Sequence, residues 1–411
     1  MNNLRSLRFT GARVNTLAAC LATALTAGSI GAADLATHPT TATQVSLPSN
    51  PPLFAVLDAT QGRKIRARRV TSPQPALPVR PASTRIVSNC DDNGGGSLRQ
   101  TVAEAVDGDV IDLSNLTCAR ITLTSGQIVS RGGSRLSLQG PSDRVLSVDG
   151  NNAGPVLAHY GVELNISNLT IANGRDNYGL GGCIYAAGNL SLTHSTVAGC
   201  HSGNSGGNSI GGGVTVGGDL HMLYSAISGN AAEGISNARG GGAFVAGAAI
   251  LSHSTIDHNT ATANIVRGGG LYATGNVSVL ASRVSDNLAS SSNGGAYGGG
   301  IASRSGHVGI GFLGTIGSVI SGNVAQSEAG SSYGGGVQVG YRNPNGSFIT
   351  GSIYLSDSTL SGNIARSNCS SCDITGGGAF ALGDIEVLYG TIRDNQALGT
   401  STSPGNTAGA M

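Results

Sequence analysis

Seven glycine clusters punctuate the chain between residues 181 and 378, each followed by a small or aliphatic residue. Their third residues are Cys183, Gly213, Gly242, Gly270, Gly300, Gly336 and Gly378, at intervals of 30, 29, 28, 30, 36 and 42. Before each of the last six clusters stands an aliphatic residue with a cysteine or asparagine three places on. These pairs are Val197/Cys200, Ile227/Asn230, Ile256/Asn259, Val284/Asn287, Ile320/Asn323 and Leu360/Asn363, and Ile392/Asn395 continues the series. A near-fixed period of this length means stacked units, each covering its neighbour's apolar face.

The unit is β. Apolar residues alternate with polar ones, as in Leu190-Ser191-Leu192 and Val277-Ser278-Val279, and glycine interrupts every stretch where a helix could form. Each repeat accommodates about three short strands of roughly 3–5 residues, joined by Gly/Asn/Ser turns. Such strands are too short for free-standing hairpins. Stacked on their equivalents one repeat later, they form a coil that rises about 4.8 Å per turn. The expectation is an all-β, single-stranded parallel β-helix, right-handed by the usual rule for parallel crossovers, spanning residues 86–396.

Composition supports this. The 411 residues include 66 Gly and no Trp, and only 11% are charged. The glycines are phased with the apolar positions, which separates the chain from glycine-rich disordered sequences. A net charge of +1 argues against a nucleic-acid or anionic-membrane partner held by bulk electrostatics.

Outside the repeats, Arg5, Arg8 and Arg13 precede an apolar alanine-rich stretch over 17–30, and Gly31-Ala32-Ala33 offers small residues for cleavage. Residues 1–33 therefore read as a secretory signal peptide. Leu17-Ala18-Ala19-Cys20 looks like a lipoprotein box, but most of the apolar stretch lies after the cysteine. No other stretch has the length of a transmembrane helix. Residues 34–85 are rich in Pro, Thr and Ser, with a basic run at Arg63, Lys64, Arg66, Arg68 and Arg69, and read as a mobile linker. Residues 397–411 read as a flexible tail. Removal of the signal leaves Cys90, Cys118, Cys183, Cys200, Cys369 and Cys372. An even number in an exported chain points to disulfides, with fifteen pairings open. Sequence neighbourhood favours Cys90–Cys118, Cys183–Cys200 and Cys369–Cys372. In the middle pair Cys183 replaces a cluster glycine and Cys200 replaces an asparagine.

An open solenoid end exposes apolar core and unpaired strand edge, so it needs a cap. Residues 86–113 supply one. Ser97 and Gln100 have capping-box spacing for a helix over 97–107, with Leu98, Val102 and Val106 on one face. This segment runs from Cys90 through Ser97-Leu98-Arg99 to Cys118. It resembles the N-terminal region of exported bacterial right-handed β-helix repeat proteins. The later glycine-cluster and aliphatic-x-x-asparagine pairs are similar to the repeats of polymorphic outer-membrane proteins, a group of surface adhesins and autotransporter passengers. Those proteins carry phenylalanine where this chain has Val, Ile or Leu. They end in a membrane β-barrel, whereas this sequence stops at Met411 after a Gly/Ser/Thr tail. The resemblance implies the β-helix fold and export, to an extracellular, cell-surface or periplasmic place; it does not by itself separate adhesins from lyases and hydrolases, which share this fold.

In the strand after each cluster, position one must face the core and position two must face out. Position two reads Tyr185, Thr215, Phe244, Tyr272, Ala302, Gln338 and Phe380. The residue before the cluster reads Leu180, Ile210, Arg239, Arg267, Tyr297, Tyr333 and Thr375. These stack as two neighbouring columns. Arg239, Phe244, Arg267, Tyr272, Tyr297 and Tyr333 then form an exposed strip about 14 Å long, suited to the rings and carboxylates of a polysaccharide or cell-surface glycan. The alternative is that these aromatics only cover the sheet. The segments between each asparagine and the next cluster read as loops leaving the coil on one side, a usual place for binding. His194, Tyr224 and His253 share one corner position, with the histidines about 9.6 Å apart. The asparagine column reads as a turn that needs left-handed backbone.

Enzymes of this fold that act on pectin use clustered aspartates with calcium or a basic residue. Here Asp257-His258 and Asp286 are single carboxylates on neighbouring coils, and no Lys follows Lys64. A lyase or hydrolase is therefore the second reading. No catalytic constellation, cofactor motif or metal site is identified.

Overall fold

The computed structural model describes residues 82–131, 134–312, 316–342 and 345–399. The stretch read as a signal peptide, most of the stretch read as a linker with its basic run, and residues 400–411 lie outside them. Among the described residues no helix is long and apolar enough to cross a membrane.

The chain winds as a parallel β-solenoid. Among the described residues each coil after the cap passes through three stacked sheets in a constant order, and from Arg175 onward a fourth sheet is inserted between the second and the third. The first holds eleven strands, from β1 (Thr84–Ile86) and β2 (Asp109–Asp112) to Ile385–Leu388. The second holds ten, from β3 (Arg120–Thr122) to Thr391–Arg393, and the third nine, from β4 (Ile128–Ser130) to Ala379–Ala381. Pairing is in register. The aliphatic column runs Val197↔Ile227↔Ile256↔Val284↔Ile320↔Leu360↔Ile392. The residues after the clusters run Ile184↔Val214↔Ala243↔Leu271↔Ile301↔Val337↔Ala379. Both columns line one continuous core.

The fourth sheet corrects the expectation of three strands and protruding loops. The segments between asparagine and cluster are themselves strands in a twelve-stranded sheet, among them His201–Asn204, Ala231–Gly234 and Thr260–Arg267. Each runs out, bends and returns, so the two arms form a thin fin. The arms lie close together, and the inward positions of both are small: Ala238, Ala261, Ala263, Val266, Ala289, Ala296 and Ala325 make a separate core. In an earlier coil Ser209 Oγ donates to Ser202 O across the fin at 2.7 Å.

Each glycine of a cluster has its own reason, shown by Gly240, Gly241 and Gly242. Gly240 has φ +67°, a left-handed bend between fin and third sheet. A Cβ on Gly241 would lie 2.2 Å from Gly269 O, and one on Gly242 2.8 Å from Asn259 Cγ. The asparagine ladder is buried. Asn259 Nδ2 donates to Asn287 Oδ1 at 2.9 Å and to Ile227 O at 2.9 Å, and the pattern repeats along the column. The asparagines themselves are not left-handed, contrary to the sequence reading. That conformation falls one residue earlier, at Gly229, His258, Asp286, Gly322, Gly362 and Asp394. The asparagine amide is aimed inward to bond the next rung, and the bend precedes it.

A serine ladder, not singled out by the sequence reading, performs the same task at the first corner. Backbone N–H groups of Ser195, Ser225 and Ser254 donate to the hydroxyls of Ser225, Ser254 and Ser282 at 3.1, 3.1 and 2.9 Å. His194, Tyr224 and His253 precede three of these serines with φ of 48°, 49° and 49°. Their rings stack at 5.0 and 4.8 Å.

The cap is built between β1 and β2. Helix α1 (Leu98–Ala103) occupies the place where the other strands of that coil would run, shorter than the predicted 97–107. Leu98 and Val102 are each 1% exposed and join the core. Ser97 Oγ accepts from Gln100 N at 3.2 Å, but the Gln100 amide bonds Glu104 at 2.6 Å rather than closing the capping box. Asp92 ties the cap to the first coil: its carboxylate accepts from Arg99 and from the backbone N–H groups of Thr124 and Ser125. Strand β1 starts at Thr84, inside the stretch read as linker, and the last fin strand, Gln396–Gly399, runs into the stretch read as tail.

Three disulfides join Cys90 to Cys118, Cys183 to Cys200 and Cys369 to Cys372. The first links cap to coil. The second stands where other coils pair a glycine with an asparagine. The third closes the tip of a fin just before Asp373.

Candidate binding groove

The two columns read from the sequence face each other. The left-handed glycine bends the chain so that the fin meets the third sheet at an inside corner. Outward side chains from both sheets therefore converge. In one coil Thr215 Oγ1 donates to Ile210 O at 3.0 Å across this corner. In later coils the side chains are larger and leave a groove.

All six predicted residues lie along it. Phe244 stacks on Tyr272 at 5.5 Å and Tyr297 on Tyr333 at 5.4 Å, and Phe380 extends the second pair at 5.0 Å from Tyr333. The Arg239 guanidinium lies 5.9 Å from the Tyr272 ring, and Arg267 5.1 Å from Tyr297. These are stacking and cation–π distances. The expectation of an exposed strip does not hold in full. Tyr272 is only 5% exposed, and the other five are half-buried. Alternation on a strand sets which way a side chain points. The inside corner then covers what points outward.

The groove opens where column two turns small. Ala302 and Gln338 stand between Tyr272 and Phe380, and a cleft of about 630 Å³ fills the difference. Its floor and flanks are Arg267, Tyr297, Tyr333 and Phe380. Its far wall, missed by the sequence reading, comes from Arg304 and from a short antiparallel pair, Tyr341–Arg342 with Phe348–Ile349. The signal available was the interval of 42 from Gly336 to Gly378, longer than any other, since extra residues in one repeat must leave the coil. Tyr341 stacks on both Arg267 and Arg304, at 5.2 and 5.5 Å. A smaller hollow of about 240 Å³ continues the cleft toward Arg239 and Phe244. A further hollow in earlier coils is lined by Tyr160, Tyr178 and Tyr185.

The electrostatics differ along the cleft. Burial holds the Arg267 guanidinium below its ordinary pKa; the phenols of Tyr297, Tyr272 and Tyr341 oppose this, and the like charge of Arg239 adds to it. Burial raises the Tyr297 phenol, against the pull of Arg267. At the other end Tyr333 is pushed up to about 12, first by burial and then by Asp373. Its hydroxyl donates to Asp373 Oδ2 at 3.0 Å. Asp373 is the one carboxylate among the residues lining the cleft.

The other candidates are not brought together with this groove. Asp257 pairs with its neighbour His258 at 3.0 Å. Asp286 forms part of the bend before the ladder. Among the described residues no group of three His, Cys, Asp or Glu side chains could hold a metal ion.

No protein-family model, curated protein or solved structure matches the chain.

Proposed function

We propose that this chain is an exported binding protein that holds a polysaccharide or cell-surface glycan along the inside corner of the solenoid. The observation that carries the reading is the run of stacked aromatic rings and arginines from Phe244 to Phe380, open at a cleft of about 630 Å³. Sugar rings present apolar faces for aromatic stacking and hydroxyls for amide, guanidinium and carboxylate groups, and Gln338, Arg304 and Asp373 supply one of each beside the rings. The three disulfides support an oxidising compartment. In this reading the likeness of the repeats to surface adhesins supports a place on or outside the cell.

A lyase or hydrolase on the same fold would need paired carboxylates, or a base of low pKa, across the cleft. Asp373 stands there alone, and the raised pKa values of Tyr297 and Tyr333 keep both phenols protonated. The geometry therefore favours binding.

A polysaccharide array read for both retention and new reducing or unsaturated ends tests the reading. The Arg304→Ala/Tyr341→Ala double variant is expected to weaken retention by about tenfold or more with little change in melting temperature. Neither side chain lies in the core. Retention by the variant equal to that of the parent would remove the groove from the function, and new chain ends would turn the reading to an enzyme.

A further inference from the structure

Six arginines elsewhere in this protein are paired with carboxylates. Arg85, Arg99, Arg120, Arg135, Arg144 and Arg393 each have a carboxylate within 2.6–3.3 Å. At the narrow end of the groove three arginines without such a partner are gathered together. Arg239, Arg267 and Arg304 line one hollow that contains no Asp or Glu, and no ion pair joins any of them among the described residues. Arg239 Nε is buried without a hydrogen-bond partner. Arg267 is held between the rings of Tyr297 and Tyr341. Stacked in this way, a guanidinium keeps its N–H edge free for a planar or tetrahedral oxyanion.

Building such a cluster is unfavourable unless something offsets it. Burial already weakens the Arg267 proton affinity, and Arg239 adds repulsion. An anion seated between the guanidiniums removes both effects. At the opposite end Asp373 and the Tyr333 hydroxyl present an acceptor and a neutral phenol, which suit sugar hydroxyls and repel a second anion. Tyr333 stands two rungs from Arg267, about 10 Å along the axis, the length of roughly two sugar residues.

Resting on the glycan reading above, we infer that the groove is polar along its length: it takes an acidic saccharide whose carboxylate or sulfate ester seats among Arg239, Arg267 and Arg304, with an uncharged residue against Tyr333, Asp373 and Phe380.

Calorimetric titration of the mature protein tests this. The probes are tetrasaccharides from polygalacturonate, polymannuronate and hyaluronan, each intact and with its carboxylates reduced to alcohols, and a sulfated chondroitin tetrasaccharide with its desulfated form. At least one acidic probe is expected to bind about tenfold or more tighter than its neutral counterpart, with the ratio falling as salt is raised. In the Arg239→Gln/Arg304→Gln variant that ratio is expected to drop to near one, with the fold checked by circular dichroism. Whether the carboxylate or the sulfate pairs show the preference identifies the anion. Equal binding of acidic and neutral probes would overturn this inference and leave the glycan reading standing. An acid preference that survives the double variant would also overturn it. Binding of no probe in either form would sink both.

Discussion

Gly242 and Asn259 occupy the same coil, and the asparagine amide fills the space that a side chain on the glycine would need, 2.8 Å from an ideal Cβ. The amide cannot retreat, because its oxygen accepts from Asn230 and its nitrogen donates to Asn287 and Ile227. Gly242→Ala is therefore expected to lower stability by roughly 1–3 kcal/mol through overpacking. Asn259→Ala strands two donors of Asn230 and is expected to lose about 2–4 kcal/mol. The two together should lose less than the sum, since the alanine side chain then has room. Denaturant unfolding of the three variants measures this, and a neutral Gly242→Ala would show that the contact is slack.

Cys183 and Cys200 replace such a pair with a covalent bond, 5.5 Å between Cα atoms. Removing it as Cys183→Ser/Cys200→Ser is expected to cost about 2–4 kcal/mol. Cys183→Gly/Cys200→Asn restores the pair used by the next six coils, with the backbone N–H of Gly174, now bonded to Cys183 Sγ at 3.2 Å, free to meet the new amide. This variant should recover about 1 kcal/mol or more of the loss. Equal melting temperatures for the two variants would mean that the rung does not accept an asparagine.

Leu98 seals the open end of the first coil and is 1% exposed. Leu98→Asp is expected to destabilise the domain by about 2–5 kcal/mol, because an apolar anchor is lost and a charge is buried. Gln100→Ala, on the exposed face of the same helix, should change stability by no more than about 0.5 kcal/mol. If both behave alike, the helix is not a plug.

Two groups contribute to the response to acid in separate pH ranges. His159 is fully buried, its Nδ1 beside Ser130 Oγ at 3.1 Å and its Nε2 without a partner. Burial lowers its pKa from the ordinary 6.5. The unfolded chain then takes up a proton first, so stability is full above 6.5 and declines as pH falls from 6.5 toward the folded value. For Asp92, burial raises the pKa, but the bonds from Arg99, Thr124 and Ser125 outweigh it and hold the carboxyl well below the ordinary 3.8. Its contribution is present above 3.8 and is lost as pH falls through the folded value. Melting temperature against pH should show two separate declines, and His159→Gln should erase only the upper one. A single decline below pH 4 in the parent would contradict the assignment.

Much of the fold was legible because in-register stacking places equivalent positions on top of one another. The columns beginning at Val197 and Ile184 could be written from the spacing alone, and each proved to be a column of paired residues facing the core. The cap was legible for a similar reason: Leu98 and Val102 share one face of any helix. The fin was harder. Its signal, a small residue two places after each ladder position at Ser202, Ala232, Ala261, Ala289, Ala325 and Ala365, is easily taken for loop composition.

The sequence by itself determined the period, the inward and outward sense of the positions that flank each glycine cluster, and six of the side chains that line the groove. Only the tertiary structure decided that Tyr272 points outward yet is covered, that the left-handed bend falls on His258 rather than Asn259, and that Tyr341 reaches back to stack on Arg267 and Arg304. The division has a physical cause. A period of two fixes the direction of a side chain from its own strand. What covers that side chain depends on the angle between sheets and on the path of an insertion, and both are set by packing between segments far apart in the chain.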